Sequence, residues 1–243
     1  MSASILPKLP AANTMPIQLG GMVPLTTIDY PDHLSCVLFC QGCAWRCHYC
    51  HNPDLIAPVG STPVCWEQVL AFLNQRQGLL QAVVFSGGEA TLQPGLAVAM
   101  QQVRDLGFKV GLHTAGIKPA ALHKVLPLCD WVGFDIKAPR GQVDHVTQII
   151  GSDAANWRSL ELLLESGVAY ECRTTVHWAL LEPDELICLA RQLQQQGVSH
   201  FVVQLARSGQ MLNPDLPEQI QPKELPAVWQ TMEGMFEYFS LRT

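Results

Sequence analysis

Short runs rich in Val, Leu, Phe and Thr alternate along the chain with longer stretches in which apolar residues recur every three or four positions. The first pattern is that of strands and the second that of amphipathic helices, and their alternation predicts βα units around a parallel sheet. Six units can be traced, with strands predicted at Leu34–Cys40, Ala82–Ser86, Lys109–His113, Trp131–Lys137, Val168–Val176 and His200–Leu205. A Gly-Gly turn at Gly20 and Gly21 precedes them, and a terminal helix is predicted around Lys223–Phe239. Pro63, Pro94, Pro119, Pro183 and Pro222 mark helix first positions, where an N–H would be unpaired anyway. Thr62 is a cap for the first of these helices, in which Val69, Leu70, Phe72 and Leu73 form the apolar side. Six units are too few for a closed eight-stranded barrel. The predicted α/β fold is therefore an incomplete, laterally open (β/α)6 barrel, with a doubly wound sheet as the alternative. Both place ligands in the loops at the carboxyl ends of the strands.

With 243 residues, 48% of them apolar, the chain can bury one sizeable core. Residues 1–15, which include Pro7 and Pro10, read as a flexible tail, and residues 16–243 as a single domain. The tail lacks the basic and apolar regions of a signal peptide, and no apolar run is long enough to cross a bilayer. The formal net charge of −6, with Lys and Arg scattered, leaves no basic face, so neither nucleic acid nor a membrane is an expected partner. Nine cysteines, five of them between Cys36 and Cys50, point to metal in a reducing cytoplasm rather than a disulfide framework. Cys65, Cys129, Cys172 and Cys188 have no ligand-like spacing and read as small core hydrophobes.

After the first strand the sequence runs Cys43-Ala-Trp-Arg-Cys47-His-Tyr-Cys50, beside Gly42. Three thiolates at this spacing suit an iron–sulfur cluster, and three ligands on four irons leave one iron open. Cys40 could add a fourth thiolate, for zinc or for a fully ligated electron-transfer cluster, and His51 could be a fourth zinc ligand. Strand alternation instead groups Leu34, Cys36, Leu38 and Cys40 on one packed side.

Two further loops carry candidate chemistry. Gly87-Gly88-Glu89 follows the second strand, where glycines permit a tight turn or close backbone approach. Asp135 and Lys137 point the same way at the end of the fourth strand, as a surface ion pair or as site residues. Arg173 lies within the fifth strand, and a buried arginine needs an anion.

These stretches resemble the radical S-adenosylmethionine (SAM) superfamily, and within it the activating enzymes of glycyl-radical enzymes. The likeness rests on the cysteine motif and on Thr27-Ile28-Asp29-Tyr30-Pro31, Phe39-Cys40-Gln41-Gly42-Cys43 and Cys50-His51-Asn52. It implies a barrel of the radical SAM type and a [4Fe–4S] cluster on Cys43, Cys47 and Cys50, with SAM chelating the open iron. It also implies that the Tyr49 backbone lies by the adenine and His51 adjoins the cofactor. Gly87, Gly88 and Glu89 would meet the methionine ammonium, Lys137 and Arg173 would contact SAM, and Asp135 would lie near the target glycine. Reductive cleavage of SAM would yield a 5′-deoxyadenosyl radical that takes hydrogen from a partner's glycine, with flavodoxin or ferredoxin as reductant. The Gly20–Pro31 stretch is most similar to activating proteins of anaerobic ribonucleoside-triphosphate reductase. Pyruvate formate-lyase activase differs in carrying aspartate at the position of His113 and a histidine near Gln204 and Arg207. Little chain follows the sixth strand, so no auxiliary-cluster domain is expected. Competing readings are a pyruvate formate-lyase-type activase, a 7-carboxy-7-deazaguanine synthase, whose third cysteine is usually followed by Asp-Thr, and an electron-transfer or zinc-binding module.

Overall fold

A computed structural model describes residues 17–242 apart from 62, 208 and 210. The tail at residues 1–15 and the Thr62 cap lie outside the described residues. The strands are β1 (Leu19–Thr26), β2 (Ser35–Cys40), β3 (Ala82–Gly87), β4 (Lys109–Thr114), β5 (Trp131–Asp135), β6 (Ala169–Val176), β7 (His200–Leu205) and β8 (Tyr238–Arg242). The helices are α1 (Trp66–Asn74), α2 (Leu96–Asp105), α3 (Pro119–Val125), α4 (Val143–Thr147), α5 (Ser152–Ser166), α6 (Pro183–Gln195) and α7 (Leu225–Glu233).

Among the described residues, all eight strands form one sheet in sequence order, with β1 and β8 as its edges, so the barrel is not closed. Strands β2 to β8 run parallel, and β1 is antiparallel to β2. The six predicted strands reappear as β2 to β7, and two elements need correction. Gly20 and Gly21 belong to a strand rather than to a turn, and register shifts at Leu19/Gly21 and Val23/Thr26 break the alternation that would have announced it. The terminal helix stops at Glu233, and Tyr238–Arg242 pairs with β7. Pro119 and Pro183 do open their helices, whereas α1, α2 and α7 begin downstream of Pro63, Pro94 and Pro222.

Strand alternation sorts the side chains into two layers. Cys36, Leu38, Cys40, Phe85, Leu112, Val132, Phe134 and Cys172 are buried beneath the helices. Cys36 and Cys40 are thus packing residues, as the alternation predicted; of the four scattered cysteines, Cys129 and Cys172 are core residues, whereas Cys65 and Cys188 are exposed. Truncating a fully buried ring such as Phe85 should cost about 3–5 kcal/mol. On the concave face, Tyr30, Val37, Ala82, Val84 and Trp131 form a second, smaller cluster near the amino ends of the strands. Tyr30 enters from the β1–β2 loop, and a Cβ at position 111 would come within 2.9 Å of its ring, so Gly111 makes the room. Toward the carboxyl ends the concave face turns polar, through Ser86, His113, Asp135 and Arg173. The fold thereby has an apolar end and a chemical end.

Candidate active site

The chain leaves β2 at its carboxyl end through buried Gln41, whose amide donates to the carbonyls of Asp54 (2.9 Å) and Ala57 (2.7 Å). Gly42 N–H donates to Leu55 (2.8 Å) and Cys43 N–H to Ile56 (3.1 Å), folding the loop back on itself. Beyond it, the N–H groups of Arg46 and His48 donate to Thr147 (2.9 Å) and Val146 (3.3 Å) of α4. Leu212 and Asn213 donate from the other side to the carbonyls of Cys50 (2.9 Å) and His48 (3.0 Å). Cys43, Cys47 and Cys50 are therefore held on a loop tied on two sides, and all three line one cavity of about 230 Å³. Burial pushes the Cys43 thiol up to about 12 and raises Cys47, which the Lys137 charge partly offsets. In the absence of metal both keep their protons, and a metal must displace them.

Tyr49, His51, Gly87, Gly88, Glu89, Asp135, Lys137 and Arg173 line the same cavity. The sequence-predicted site residues are thus brought together. Arg207 also lines it, whereas Gln204 is not among its walls. A larger cavity of about 620 Å³ shares Arg207 but is lined by none of the cysteines and none of the Asp135 group. Chemistry rather than size marks the site.

The two glycines are there for close approach. A Cβ on Gly87, whose φ is +111°, would fall on the Cys40 backbone, and one on Gly88 on the Gly42 carbonyl. Hydrogen bonds from Gly88 N–H to Cys40 (2.8 Å) and from Glu89 N–H to Gly42 (2.9 Å) join this turn to the cysteine loop. The buried Glu89 carboxylate is almost saturated by the protein itself. Its Oε1 accepts from Thr91 N–H (3.0 Å) and from the hydroxyls of Thr91 and Thr114 (2.6 Å each), and its Oε2 from Ala115 N–H (3.0 Å). One Oε2 lone pair is left for a ligand, so Glu89 chiefly fastens the β3 and β4 ends together.

Asp135 and Lys137 are not a surface pair. Asp135 Oδ1 accepts from Arg173 Nε at 2.9 Å, with Nη2 in ion-pair contact at 2.9 Å while donating to the Gly133 carbonyl (3.3 Å), and Oδ2 accepts from Lys137 Nζ at 3.1 Å. The Lys137 and Arg173 side chains are only 11% and 10% exposed. Burial alone would raise the Asp135 carboxyl, but Arg173 and Lys137 outweigh it and hold it at about 2. Burial likewise opposes the charge on Lys137, and Asp135 more than restores it. Two cations share one anion, so this ion group carries a surplus positive charge; across the whole cavity Glu89 adds a second anion and Arg207 a third cation, which leaves the balance positive. The Lys137 ammonium also sits 5.8 Å over the Tyr49 ring.

His113 lines the cavity as well. Its Nε2 lies 2.8 Å from the Asp29 carbonyl and its Nδ1 3.5 Å from Ser86 Oγ. Burial, assisted by Arg173, drives its pKa down to about 3. The ring is therefore neutral, with Nε2–H donating to the Asp29 carbonyl and the Nδ1 lone pair facing the Ser86 hydroxyl. Sequence reasoning missed Asn156 altogether. It is fully buried on α5 and binds the ends of β4 and β5.

The radical SAM superfamily model matches residues 37–187. The chain belongs to the radical SAM superfamily. A relative from Methanocaldococcus jannaschii, provisionally assigned as a glycyl-radical enzyme activating enzyme, is 26% identical over 241 residues, covering 90% of this chain and 98% of the relative. The pyruvate formate-lyase-activating enzyme of Clostridium pasteurianum is 34% identical over 115 residues, 45% of this chain and 48% of that enzyme. Streptococcus suis SuiB bound to S-adenosylmethionine superposes with a TM-score of 0.61 at 13% identity, covering 84% of this chain and 48% of SuiB, a likeness of fold.

This radical SAM protein is an oxidoreductase whose cofactors are a [4Fe–4S] cluster and SAM. The donor set fits them: three soft thiols share a cavity with surplus positive charge that suits a carboxylate. Among the described residues, no three or more His, Cys, Asp or Glu side chains close tightly enough for a single metal ion. Cys40 is buried in the other layer, so it is not placed to act as a fourth ligand beside Cys43, Cys47 and Cys50. No described helix is long and apolar enough to cross a membrane.

Proposed function

We propose that this radical SAM enzyme generates a glycyl radical on a partner protein, and that the partner is an anaerobic ribonucleoside-triphosphate reductase. The observation that carries the reading is the likeness, along 90% of the chain, to a relative assigned to glycyl-radical activation. The Gly20–Pro31 stretch favours the reductase over pyruvate formate-lyase. A cytoplasmic location, with flavodoxin or ferredoxin as electron donor, goes with it.

Cys43, Cys47 and Cys50 would hold the cluster, leaving one iron for the amino and carboxylate groups of SAM. Once reduced, the bound cofactors supply a carbon-centred radical able to take a hydrogen atom from an unactivated C–H bond. The protein's own part is placement. Lys137 and Arg173 offer the surplus charge that a carboxylate needs, while Asp135, held ionised, keeps both cations in position. Glu89 fixes the turn beside the cysteine loop, with one lone pair left for an ammonium. Neutral His113 presents an acceptor that stays unprotonated at working pH. Trp45, Ala115 and Ile117 line the remaining wall and restrict water.

The test is anaerobic reconstitution with dithionite, SAM and the reductase, reading the electron paramagnetic resonance spectrum and 5′-deoxyadenosine together. A glycyl doublet with matching deoxyadenosine, absent in Cys47→Ala, is expected. A doublet on pyruvate formate-lyase alone would reject the reductase as partner, and no doublet on either would reject glycyl-radical activation.

A further inference from the structure

The carboxyl-terminal rim contains a polar side chain that touches neither cavity nor solvent. Asn156, on the inner side of α5, is completely buried. Its Oδ1 accepts from Lys137 N–H at 3.0 Å, and its Nδ2 donates to the carbonyls of Ala115 (2.7 Å) and Asp135 (3.0 Å). One amide thus spans the chain on both sides of Ile136 and the first residue after β4. Ala115 is gripped twice, since its N–H is held by Glu89 Oε2. A continuous line of hydrogen bonds therefore runs from the Gly87-Gly88-Glu89 turn through Ala115 and Asn156 to Asp135 and Lys137. It joins three strand ends that carry cavity residues.

An amide buried this deeply is costly unless all its bonds are made, and here three are. The local structure alone does not need it. Three residues along α5, Ser159 is equally buried and already anchors the same loop, donating to the Gly116 carbonyl at 2.6 Å. From β6 the backbone from which Asp135 and Lys137 project is held at Ile136, whose N–H donates to the Arg173 carbonyl and whose carbonyl accepts from the Thr174 hydroxyl, at 2.9 Å each. Asn156 adds the hold on either side, at the Asp135 carbonyl and the Lys137 N–H. Lys137 reaches from that backbone to Asp135 and over Tyr49, which adjoins Cys50. A small slide of the 135–137 backbone would move the ammonium against the cysteine loop and relax the ion group.

We infer that Asn156 is a positioning residue for SAM, acting through the Lys137–Asp135 backbone. It touches neither cofactor. The inference needs SAM to bind in the cavity, but it does not depend on which partner protein is activated, so it can fail or stand independently of the proposed reductase.

Ser159→Ala supplies the matched control. It removes one buried hydrogen bond from the same helix to the neighbouring loop and leaves the Asp135–Lys137 backbone alone. The reconstituted holoprotein carrying Asn156→Ser should bind SAM about tenfold more weakly by equilibrium dialysis, as loss of an outer support typically costs. It should also release more deoxyadenosine per product radical, while keeping its full iron content. Ser159→Ala should lower the thermal midpoint by a comparable amount and leave the SAM dissociation constant within twofold of wild type. Equal affinity losses in the two variants, or an unchanged affinity in Asn156→Ser, would overturn the inference. If Asn156→Ser does not fold, Asn156→Asp is read in the same way. It keeps the acceptor for Lys137 N–H and loses both donors, so unchanged affinity there would overturn the inference too.

Discussion

Two ionic groups lie on the concave face, one strand repeat apart. At the upper level Asp135 is shared by Arg173 and Lys137. One level down, where Gly133 pairs with Glu171, the Glu171 carboxylate is gripped in two places by Arg242, at 2.8 and 2.9 Å. The lower pair is closed. It is neutral, bidentate and linked to no other cation, and it fastens the edge strand β8 to β6 across β7. The upper group is open, because two cations hold one anion and leave a positive charge next to the cysteine loop. A similar Arg–carboxylate contact therefore serves the fold in one place and a ligand in the other. The distinction lies first in charge balance, and also in the cation, since Arg173 is 10% exposed and Arg242 38%.

That distinction can be broken by experiment. Lys137→Met removes the surplus charge, and SAM affinity should fall roughly thirtyfold or more, since loss of one member of a buried charged contact costs about 2–5 kcal/mol. Its effect on unfolding should be the smaller one. Glu171→Gln should show the opposite profile. Unfolding free energy should drop by roughly 2 kcal/mol, at the low end for a broken ion pair because Arg242 is 38% exposed, while SAM affinity stays within about twofold. Exchanged outcomes would mean that the lower pair is the ligand site.

Acid should act through His113. Its pKa is depressed from 6.5 to about 3 in the folded protein, first by burial and then by Arg173. The unfolded chain takes up a proton below pH 6.5 that the folded one refuses. Stability from this residue is thus complete above about 6.5 and drains away as pH falls toward 3, at about 1.4 kcal/mol per pH unit. Between pH 7 and 5 this amounts to about 2 kcal/mol, and denaturant titrations should show a fall in the wild type that is smaller by that much in His113→Asn. Asp135, held at about 2, stays ionised across the same range. The smallest expected effect is that of Gly133→Ala. The new Cβ would lie 2.8 Å from the Arg173 guanidinium and nudge it off Asp135, weakening SAM binding about two- to threefold.

Much of this was legible in the sequence because parallel strands buried on both faces write dense apolar runs. Strands β2 to β7 were found within a few residues at each end. β1 was hidden by Gly20, Gly21 and Pro24 and by its bulges, and β8 by its shortness and by the helix immediately before it. At the site, the cysteine spacing and Arg173 stood out, the arginine because a charge inside a strand pattern demands a partner. Asn156 could not stand out, since one polar residue in an amphipathic helix looks the same whether it faces water or a strand end. The role of Glu89 was only half legible. The motif says that a carboxylate is there, but not that Thr91, Thr114 and Ala115 occupy it.

The most direct test of the central claim, that the carboxyl-terminal rim is a radical SAM site built on Cys43, Cys47 and Cys50, is a paired spectrum. Reconstituted, dithionite-reduced protein is measured by electron paramagnetic resonance before and after addition of SAM, with 5′-deoxyadenosine quantified in the same samples. On that claim, a cluster signal that changes on addition, together with deoxyadenosine formation, is expected. A cluster signal untouched by SAM with no deoxyadenosine formed, or colourless protein holding zinc, would contradict it.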